Sequence, residues 1–111
     1  MVVADGVELY NLAPMRLESH VIVSQGAYVC GARHDYNDPG FPLLAYPMTI
    51  GAYVWIAARA SVAPGVDGDG TVLGLASVAT RDLEPWTVYA GVPAVKVKAR
   101  ERIDRAKERR A

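Results

Sequence analysis

The strongest constraint on the fold is a period of six residues that appears in two parts of the chain. Aliphatic residues recur at every sixth position from residue 17 and again from residue 50, and they are Leu17, Val23, Val29, Ile50, Ile56 and Val62. The residue after each one is small in five of the six cases. Six is a multiple of the strand period and not of the helical period. Each unit is therefore predicted to be a short strand with one inward aliphatic side chain, followed by a tight corner.

Stacked units of this kind predict a parallel β-helix. Three units form one triangular coil, and successive coils bury an aliphatic column in which each Val, Leu or Ile contributes about 1.5–3 kcal/mol. The alternative is a β-sandwich of short strands, whose turns would recur about every 8–12 residues. The spacing of six favours the β-helix. We expect an all-β chain with coils at about 5–30 and 48–83, in a single domain of residues 1–111.

The repeat is imperfect in two places. Asp5 and Asn11 stand where earlier aliphatic residues would fall, so the first coil is expected to be irregular. Eleven residues separate Val62 from Leu73, where two units need twelve. One residue is therefore missing from the sequence GVDGDGTV, and Gly68 occupies an expected aliphatic position.

Composition limits the class of protein. The chain is 51% hydrophobic and 22% charged, and it has no apolar run near the ~20 residues that a membrane helix needs. The start, MVVADGVELY, lacks the pattern of a secretory signal. Cys30 is the only cysteine, which excludes an intramolecular disulfide and fits a reducing compartment. A cytoplasmic protein with no membrane partner is expected.

Basic residues concentrate at the C-terminal end of this chain of zero net charge, with eight bases and three acids between Lys96 and Arg110. A nucleic-acid site is one use of such a tail. A solvated helix is favoured instead, because Glu101 and Arg105 are four residues apart and a thin apolar stripe accompanies them. We therefore expect a short α-helix at about residues 99–109 and no nucleic-acid partner.

Residues 32–47, ARHDYNDPGFPLLAYP, interrupt the repeat with a histidine, three prolines and a glycine. Segments rich in proline and glycine do not continue a regular strand pattern. A loop at residues 31–47 is therefore expected to protrude from the coils. It carries an imidazole, His34, and a load of apolar side chains that is too large to leave in water.

The chain resembles the hexapeptide-repeat acyltransferases, and among them the colanic-acid-type sugar O-acetyltransferases. The similarity covers Val7 to Lys98 and depends on YNLAPMRL, VIVSQGAYVCGARHDYNDPGFPL, VWIAARASVAPGV, LGLASVATRDLEPW and VYAGVPAVKVK. It implies a left-handed coil, a handedness that spacing alone does not give. It also implies direct transfer of an acetyl group from acetyl-CoA to a hydroxyl of a sugar or related small acceptor, without a metal. The implied assembly is a homotrimer with its active sites between subunits.

The resemblance assigns His34 as the general base that removes the proton of the acceptor hydroxyl, a task that suits histidine near neutral pH. Asp35 is expected to orient that imidazole or, alternatively, to brace the loop. Asn11 in LYNLA matches the acceptor-binding region, with a corner role as the alternative. Cys30 invites an acyl-enzyme mechanism, but it occupies a corner position and the resemblance implies direct transfer. His20 lies in a repeat corner and is given no role.

The resemblance also implies a set of residues that bind acetyl-CoA, namely Trp55, Ala58, Leu75, Thr80, Arg81 and Lys98. The backbone N–H of Ala58, in VWIAA, would meet the thioester carbonyl and stabilise the developing oxyanion. Leu75, in GLAS, would contact the adenine. Thr80 and Arg81 match a Thr-Lys pair near the phosphates, and Lys98 matches a basic residue that reaches the 3′-phosphate. The usual PAKV of the family is PAVK here.

Two other functions remain open at this point. One is a non-catalytic trimeric β-helix module derived from a truncated acyltransferase. The other is a metal-dependent hydratase of the same fold, which would need about three histidines around zinc. The chain contains two histidines, so the hydratase is disfavoured and no metal is expected.

Overall fold

The structure, a computed structural model, describes residues 2–10, 14–35, 37–45, 47–63, 68–80 and 83–102, with only the backbone described for residues 10, 33 and 34. Short strands make up its regular structure. They are β1 (Val2–Val3), β2 (Glu8–Tyr10), β3 (Met15–Leu17), β4 (Ile22–Val23), β5 (Tyr28–Cys30), β6 (Ala32–His34), β7 (Leu43–Ala45), β8 (Met48–Ile50), β9 (Trp55–Ile56), β10 (Ser61–Val62), β11 (Val72–Leu73), β12 (Val78–Ala79), β13 (Thr87–Ala90) and β14 (Val95–Ala99).

Parallel pairing sorts these strands into three faces of a triangular prism. Face A has the order β1-β4-β9-β11-β13, face B has β2-β5-β10-β12, and face C has β3-β8. Coil 1 contains β1, β2 and β3, and coil 2 contains β4, β5 and β8. Coil 3 contains β9 and β10, coil 4 contains β11 and β12, and coil 5 begins with β13. The prediction of all-β structure with stacked parallel coils is confirmed for the described residues, and the left-handed sense stays a prediction.

The aliphatic repeat forms columns through these coils, as the spacing predicts. Leu17 pairs with Ile50 on face C, and Val29 pairs with Val62 on face B. On face A, Val23 pairs with Ile56, and Ile56 pairs in turn with Leu73. The paired aliphatic residues of all three faces are buried in one core, except Leu17, which is partly buried and packs against it. The inward aliphatic side chains therefore supply the contact between each coil and the next.

The repeat is one residue short where coil 4 begins, and a small cavity lies there beside the aliphatic column. A Cβ on Gly68 would lie 2.7 Å from the Leu83 carbonyl oxygen and 2.9 Å from the Thr71 Oγ1, at a φ of +145°. The shortened backbone thus runs through the space that an aliphatic side chain would need. A cavity of about 20 Å³, lined by Ile50 and Leu83 among others, remains next to it.

Gly51 is the neighbour that this close approach constrains most. A Cβ there would overlap the Asp69 carboxylate and lie 2.7 Å from the Asp69 nitrogen and 2.8 Å from the Gly68 carbonyl carbon. Because two of these atoms belong to the backbone, Gly51→Ala is expected to lower the free energy of unfolding by about 1–3 kcal/mol or more. Gly40→Ala is the matched control, since its Cβ would meet only Asp38 Oδ1, at 3.4 Å. Equal denaturation midpoints for the two variants would contradict this account.

The C-terminal helix predicted at about residues 99–109 is not confirmed. Ala99 is the last residue of β14, which pairs antiparallel with β13, and residues 100–102 carry no helix. The sequence VKVKA alternates as a strand does, and β13 offers it a free edge on the last coil. Residues 103–109 lie outside the described residues. The described part of the chain contains no helix that could cross a membrane.

Candidate functional site

The candidate residues are distributed over the edges of the prism, which we name by the faces that they join. Edge AB consists of the corners 4–7, 24–27, 57–60 and 74–77, and edge CA of the corners 18–21, 51–54 and 68–71. Edge BC begins at residues 31, 63 and 80, directly after the strands of face B. Each corner is short because small residues or a positive φ let the backbone turn within four residues.

Ala58 and Leu75 lie one above the other on edge AB. The N–H of Arg59 donates to the Gln25 carbonyl at 3.0 Å, and the N–H of Ala76 donates to the Ala58 carbonyl at 3.0 Å, so successive corners are stacked. The N–H groups of Ala58 and Leu75 have no hydrogen-bond acceptor within the described ranges. Edge AB therefore presents a column of backbone donors that a ligand carbonyl could accept from.

Trp55 and Lys98 belong to one outward row on face A. The row runs through paired positions, from Trp55 to Val72, from Val72 to Val88 and from Val88 to Lys98. Neighbouring strands are about 4.8 Å apart, so the row separates Trp55 from Lys98 by about 14 Å. The Trp55 Nε1–H donates to Ser24 Oγ at 2.9 Å, and the Lys98 side chain is exposed. Both residues lie on face A, which edge AB bounds on one side.

The loop predicted at residues 31–47 forms a β-hairpin, in which β6 and β7 are antiparallel and His34 pairs with Leu43. The hairpin leaves the coils at edge BC, after β5. Asp35 holds its turn, because its N–H donates to the Pro42 carbonyl at 3.0 Å and its Oδ1 accepts from the Asn37 N–H at 3.1 Å. These contacts fit the loop-bracing alternative for Asp35, and its role toward His34 stays a prediction.

The structure does not bring all of the candidates together within one chain. Thr80 is exposed at edge BC, where His34 and Asp35 also leave the coils, whereas Ala58 and Leu75 lie on edge AB. The whole of face B separates these two groups. Asn11 and Arg81 lie outside the described residues. Among the described side chains, no group of His, Cys, Asp and Glu could hold a metal ion.

Lys96 stands one position later than the lysine of the usual PAKV, and its side chain is paired with Glu84. Its Nζ donates to Glu84 Oε2 at 2.7 Å, and this hydrogen bond raises the pKa of Lys96 above its ordinary value. A raised pKa means that the pair contributes while lysine is protonated and loses its contribution only as pH rises through the alkaline range. At neutral pH, Lys96 is therefore paired with Glu84, whereas Lys98 has no ion-pair partner among the described residues.

Arg59 is a cation on edge AB that the sequence analysis did not single out. It is exposed, follows Ala58 directly and has a φ of 59°. Its Cγ lies 3.3 Å from the position of a Cβ on Gly26, so the side chain extends over the corner of coil 2. The signal was available in AARAS, where Arg59 stands in the same corner as the predicted oxyanion donor.

Aromatic rings form a stack on edge CA that the sequence analysis also missed. The His20 and Tyr53 rings are stacked at 4.6 Å and 9°, and the Tyr53 and Trp86 rings are 6.1 Å apart. Arg100 lies over Trp86 at 5.5 Å, and its Nη1 donates to the carbonyls of Tyr53 and Gly70 at 2.6 and 2.9 Å. His20 and Tyr53 have the same separation in sequence as Leu17 and Ile50, so the repeat itself could have predicted this contact.

Sequence comparison finds no matching family model. The chain is 40% identical over 103 residues to the protein of Escherichia coli (strain K12) named as the colanic acid biosynthesis acetyltransferase WcaF, a match that covers 92% of this chain and 56% of the relative. It is 44% identical over 52 residues to the galactoside O-acetyltransferase of the same strain, covering 46% of this chain and 26% of that protein. The chain thus spans about half or less of the length of these relatives.

Solved structures share the fold over most of the chain. A galactoside acetyltransferase in complex with coenzyme A matches with a TM-score of 0.79 and 25% identity, over 91% of this chain and 52% of that one. A variant of AntD, an N-acyltransferase from Bacillus cereus in complex with dTDP and coenzyme A, matches with a TM-score of 0.85 and 25% identity, over 97% and 65%. The hexapeptide-repeat acetyltransferase VCA0836 of Vibrio cholerae O1 biovar eltor, complexed with acetyl coenzyme A, has a TM-score of 0.79 at 24% identity, over 90% and 60%.

Proposed function

The chain belongs to the hexapeptide-repeat acyltransferase family, and from that we propose that it transfers an acetyl group from acetyl-CoA to a hydroxyl of a sugar or a related small acceptor. The sequence relatives are named acetyltransferases, and the structural relatives hold coenzyme A or acetyl-CoA. We further propose the left-handed sense of coiling, the single domain 1–111 and a cytoplasmic location. The acceptor class is proposed from the saccharide-related names of these relatives.

The observation that carries the proposal is the division of the candidates between edges AB and BC. A chain that holds Ala58 on one edge and His34 beyond another needs a second copy to join them. We propose a cyclic homotrimer with face B toward the threefold axis, so that edge BC of one chain meets edge AB of the next. The hairpin supports this assembly, since Phe41 is 59% exposed and Leu43 is 46% exposed, which is costly in water.

The chemistry at such a junction is a direct transfer. The imidazole of His34 removes the proton of the acceptor hydroxyl as its oxygen attacks the thioester carbon. The negative charge moves to the carbonyl oxygen, which accepts a hydrogen bond from the N–H of Ala58 in the neighbouring chain. The C–S bond then breaks, the carbonyl re-forms as an ester, and the proton on the imidazole passes to the departing CoA sulfur. No external oxidant or metal is required, because each proton and electron pair is accounted for.

The test of this function measures free thiol released from acetyl-CoA in the presence of a panel of sugar and antibiotic hydroxyl acceptors. Release that depends on an acceptor supports the proposal. A non-catalytic module is the second candidate, because the chain spans 56% of the WcaF relative. A thermal-shift measurement with coenzyme A tests this second candidate, because a ligand at 100 times its Kd stabilises the folded state by about 2.7 kcal/mol. If coenzyme A causes no thermal shift, the non-catalytic module is the candidate that remains.

The position of Lys98 predicts a difference between two forms of the cofactor. If its ammonium group binds the 3′-phosphate, Lys98→Glu should weaken CoA by about tenfold more than dephospho-CoA, which lacks that phosphate. Lys96→Gln is the matched control on the same strand, because Lys96 is paired with Glu84. Calorimetric titration of both ligands measures the difference. Equal weakening of CoA and dephospho-CoA by Lys98→Glu would remove Lys98 from the 3′-phosphate site.

A further inference from the structure

A groove on face A lies beside edge CA, and of its lining residues only Trp55 belongs to the predicted acetyl-CoA set. Its volume is about 400 Å³, within the range of about 300–1,000 Å³ that is typical of small-molecule sites. Aliphatic side chains such as Ile22 line part of it. The rest of its lining is supplied by His20, Tyr53, Trp55 and Arg100. In the described part of the chain, the groove therefore combines flat rings, an apolar surface and the guanidinium of Arg100.

The rings that line the groove are held in place before any ligand binds. His20 and Tyr53 are stacked nearly parallel, with an angle of 9° between their planes. Trp55 is 45% exposed, yet its indole is anchored by the hydrogen bond from Nε1 to Ser24 Oγ. Aromatic faces with fixed orientations bind other flat rings at a low entropic cost. This arrangement favours a planar ligand over a flexible chain.

Arg100 gives the groove its charge preference. Its Nη1 is fixed by the carbonyl oxygens of Tyr53 and Gly70, and its backbone N–H donates to the Trp86 carbonyl at 2.7 Å. All three acceptors are neutral, and no carboxylate of the described residues pairs with this guanidinium. Among the described residues, no acidic side chain lines the groove. A guanidinium has five donors in a rigid fork, so donors other than those on Nη1 remain for an oxyanion.

We propose that this groove is a binding site for an aromatic anion, with the ring against Trp55 and the His20–Tyr53 stack and the anionic group on Arg100. The site is separate from the backbone donors of edge AB and from the hairpin. Edge CA points away from the threefold axis in the proposed trimer, so the groove stays open there. The proposal does not require the chain to be an acetyltransferase, because binding is its only content.

The probe is 8-anilino-1-naphthalenesulfonate, titrated against the full chain by fluorescence. We expect saturable binding of one molecule per chain, and binding at least tenfold weaker for the uncharged analogue N-phenyl-1-naphthylamine. Arg100→Gln should weaken the probe by about tenfold. Arg59→Gln, which removes an exposed cation from edge AB, is the matched control and should leave the affinity unchanged.

Because Arg100 also joins three corners, Arg100→Gln is paired with a second variant that spares those contacts. Ile22 is 45% exposed in the groove, and Ile22→Glu places a carboxylate beside the bound anion and should also weaken it by about tenfold. Equal affinity for the uncharged analogue, or parent-like binding by Ile22→Glu, would each overturn the proposal.

Discussion

His34→Ala is expected to lower the turnover number by about 10²–10⁴-fold while leaving the affinity for coenzyme A nearly unchanged. The reason is that the imidazole transfers protons during the reaction and is assigned no part in holding the bound cofactor. Alanine keeps the backbone pairing of residue 34 with Leu43, so the hairpin should persist. Thiol release measures the turnover, and calorimetry measures the binding. A variant that acetylates as fast as the parent would show that another group is the base.

Cys30→Ala is the companion variant, since it removes the other nucleophilic side chain near the base of the hairpin. Its thiol donates to the Ala32 carbonyl at 2.9 Å, a weak hydrogen bond whose loss the fold should tolerate. Activity close to that of the parent is expected. A folded but inactive Cys30→Ala protein would instead support an acyl-enzyme on the sulfur.

Mixing two inactive variants should restore about one quarter of the parent activity, because each site would take its halves from different chains. His34→Ala lacks the base, and Ala58→Pro lacks the N–H that donates to the oxyanion. In random trimers from equal amounts, three quarters are mixed, and each mixed trimer has one site of three with both halves intact. Coexpression followed by the thiol assay measures the recovery. Light scattering should give about three times the chain mass of 11.9 kDa.

Controls for the mixing experiment distinguish a shared site from a failure to assemble. Each variant alone should scatter as a trimer, and Ala58→Trp, which fills edge AB without altering the backbone donor, replaces Ala58→Pro if that chain does not assemble. Assembled mixtures that stay inactive would place both halves of the site in one chain. A stable mass near that of a single chain would exclude the trimer.

The fold was largely predictable because one physical rule generates it. A period of six turns one aliphatic side chain inward per unit, and the paired columns of Val23 with Ile56 and of Val29 with Val62 follow directly from that rule. The one-residue deficit was also visible, since Val62 and its partner Ala79 are seventeen residues apart rather than eighteen. The close approach of Gly68 to the Leu83 carbonyl could not be predicted, because that contact depends on backbone atoms and not on side-chain type.

The predicted start of the C-terminal helix at Ala99 is wrong, whereas residues 103–109 lie outside the described residues. Spacing of charges favoured a helix from Ala99, whereas the alternation of VKVKA favoured a strand up to the same residue. Pairing with β13 decided between them, and an unpaired edge on the last coil is a tertiary property that no local pattern contains.

The sequence names candidate site residues but does not say where they lie relative to one another. Motifs name Ala58 and His34 without saying that face B lies between them. That separation follows from the order in which the chain visits the three faces, which short motifs do not contain. The sequence could therefore suggest the chemistry, whereas the proposal of a second chain depends on the strand pairing.

The side chain of Arg100 changes how the coils depend on one another. In a stacked repeat each coil normally contacts only its neighbours. The stability of the whole is then approximately the sum of the stabilities of the coils and of the contacts between adjacent coils. The Arg100 Nη1 instead donates to the carbonyls of Tyr53 and Gly70 while its guanidinium lies over the Trp86 ring, at the corners that open coils 3, 4 and 5. This link skips over a neighbour and makes the last three coils one cooperative unit. Among the described residues of coil 1 no side chain makes such a link, so its stability should follow the pairwise rule alone.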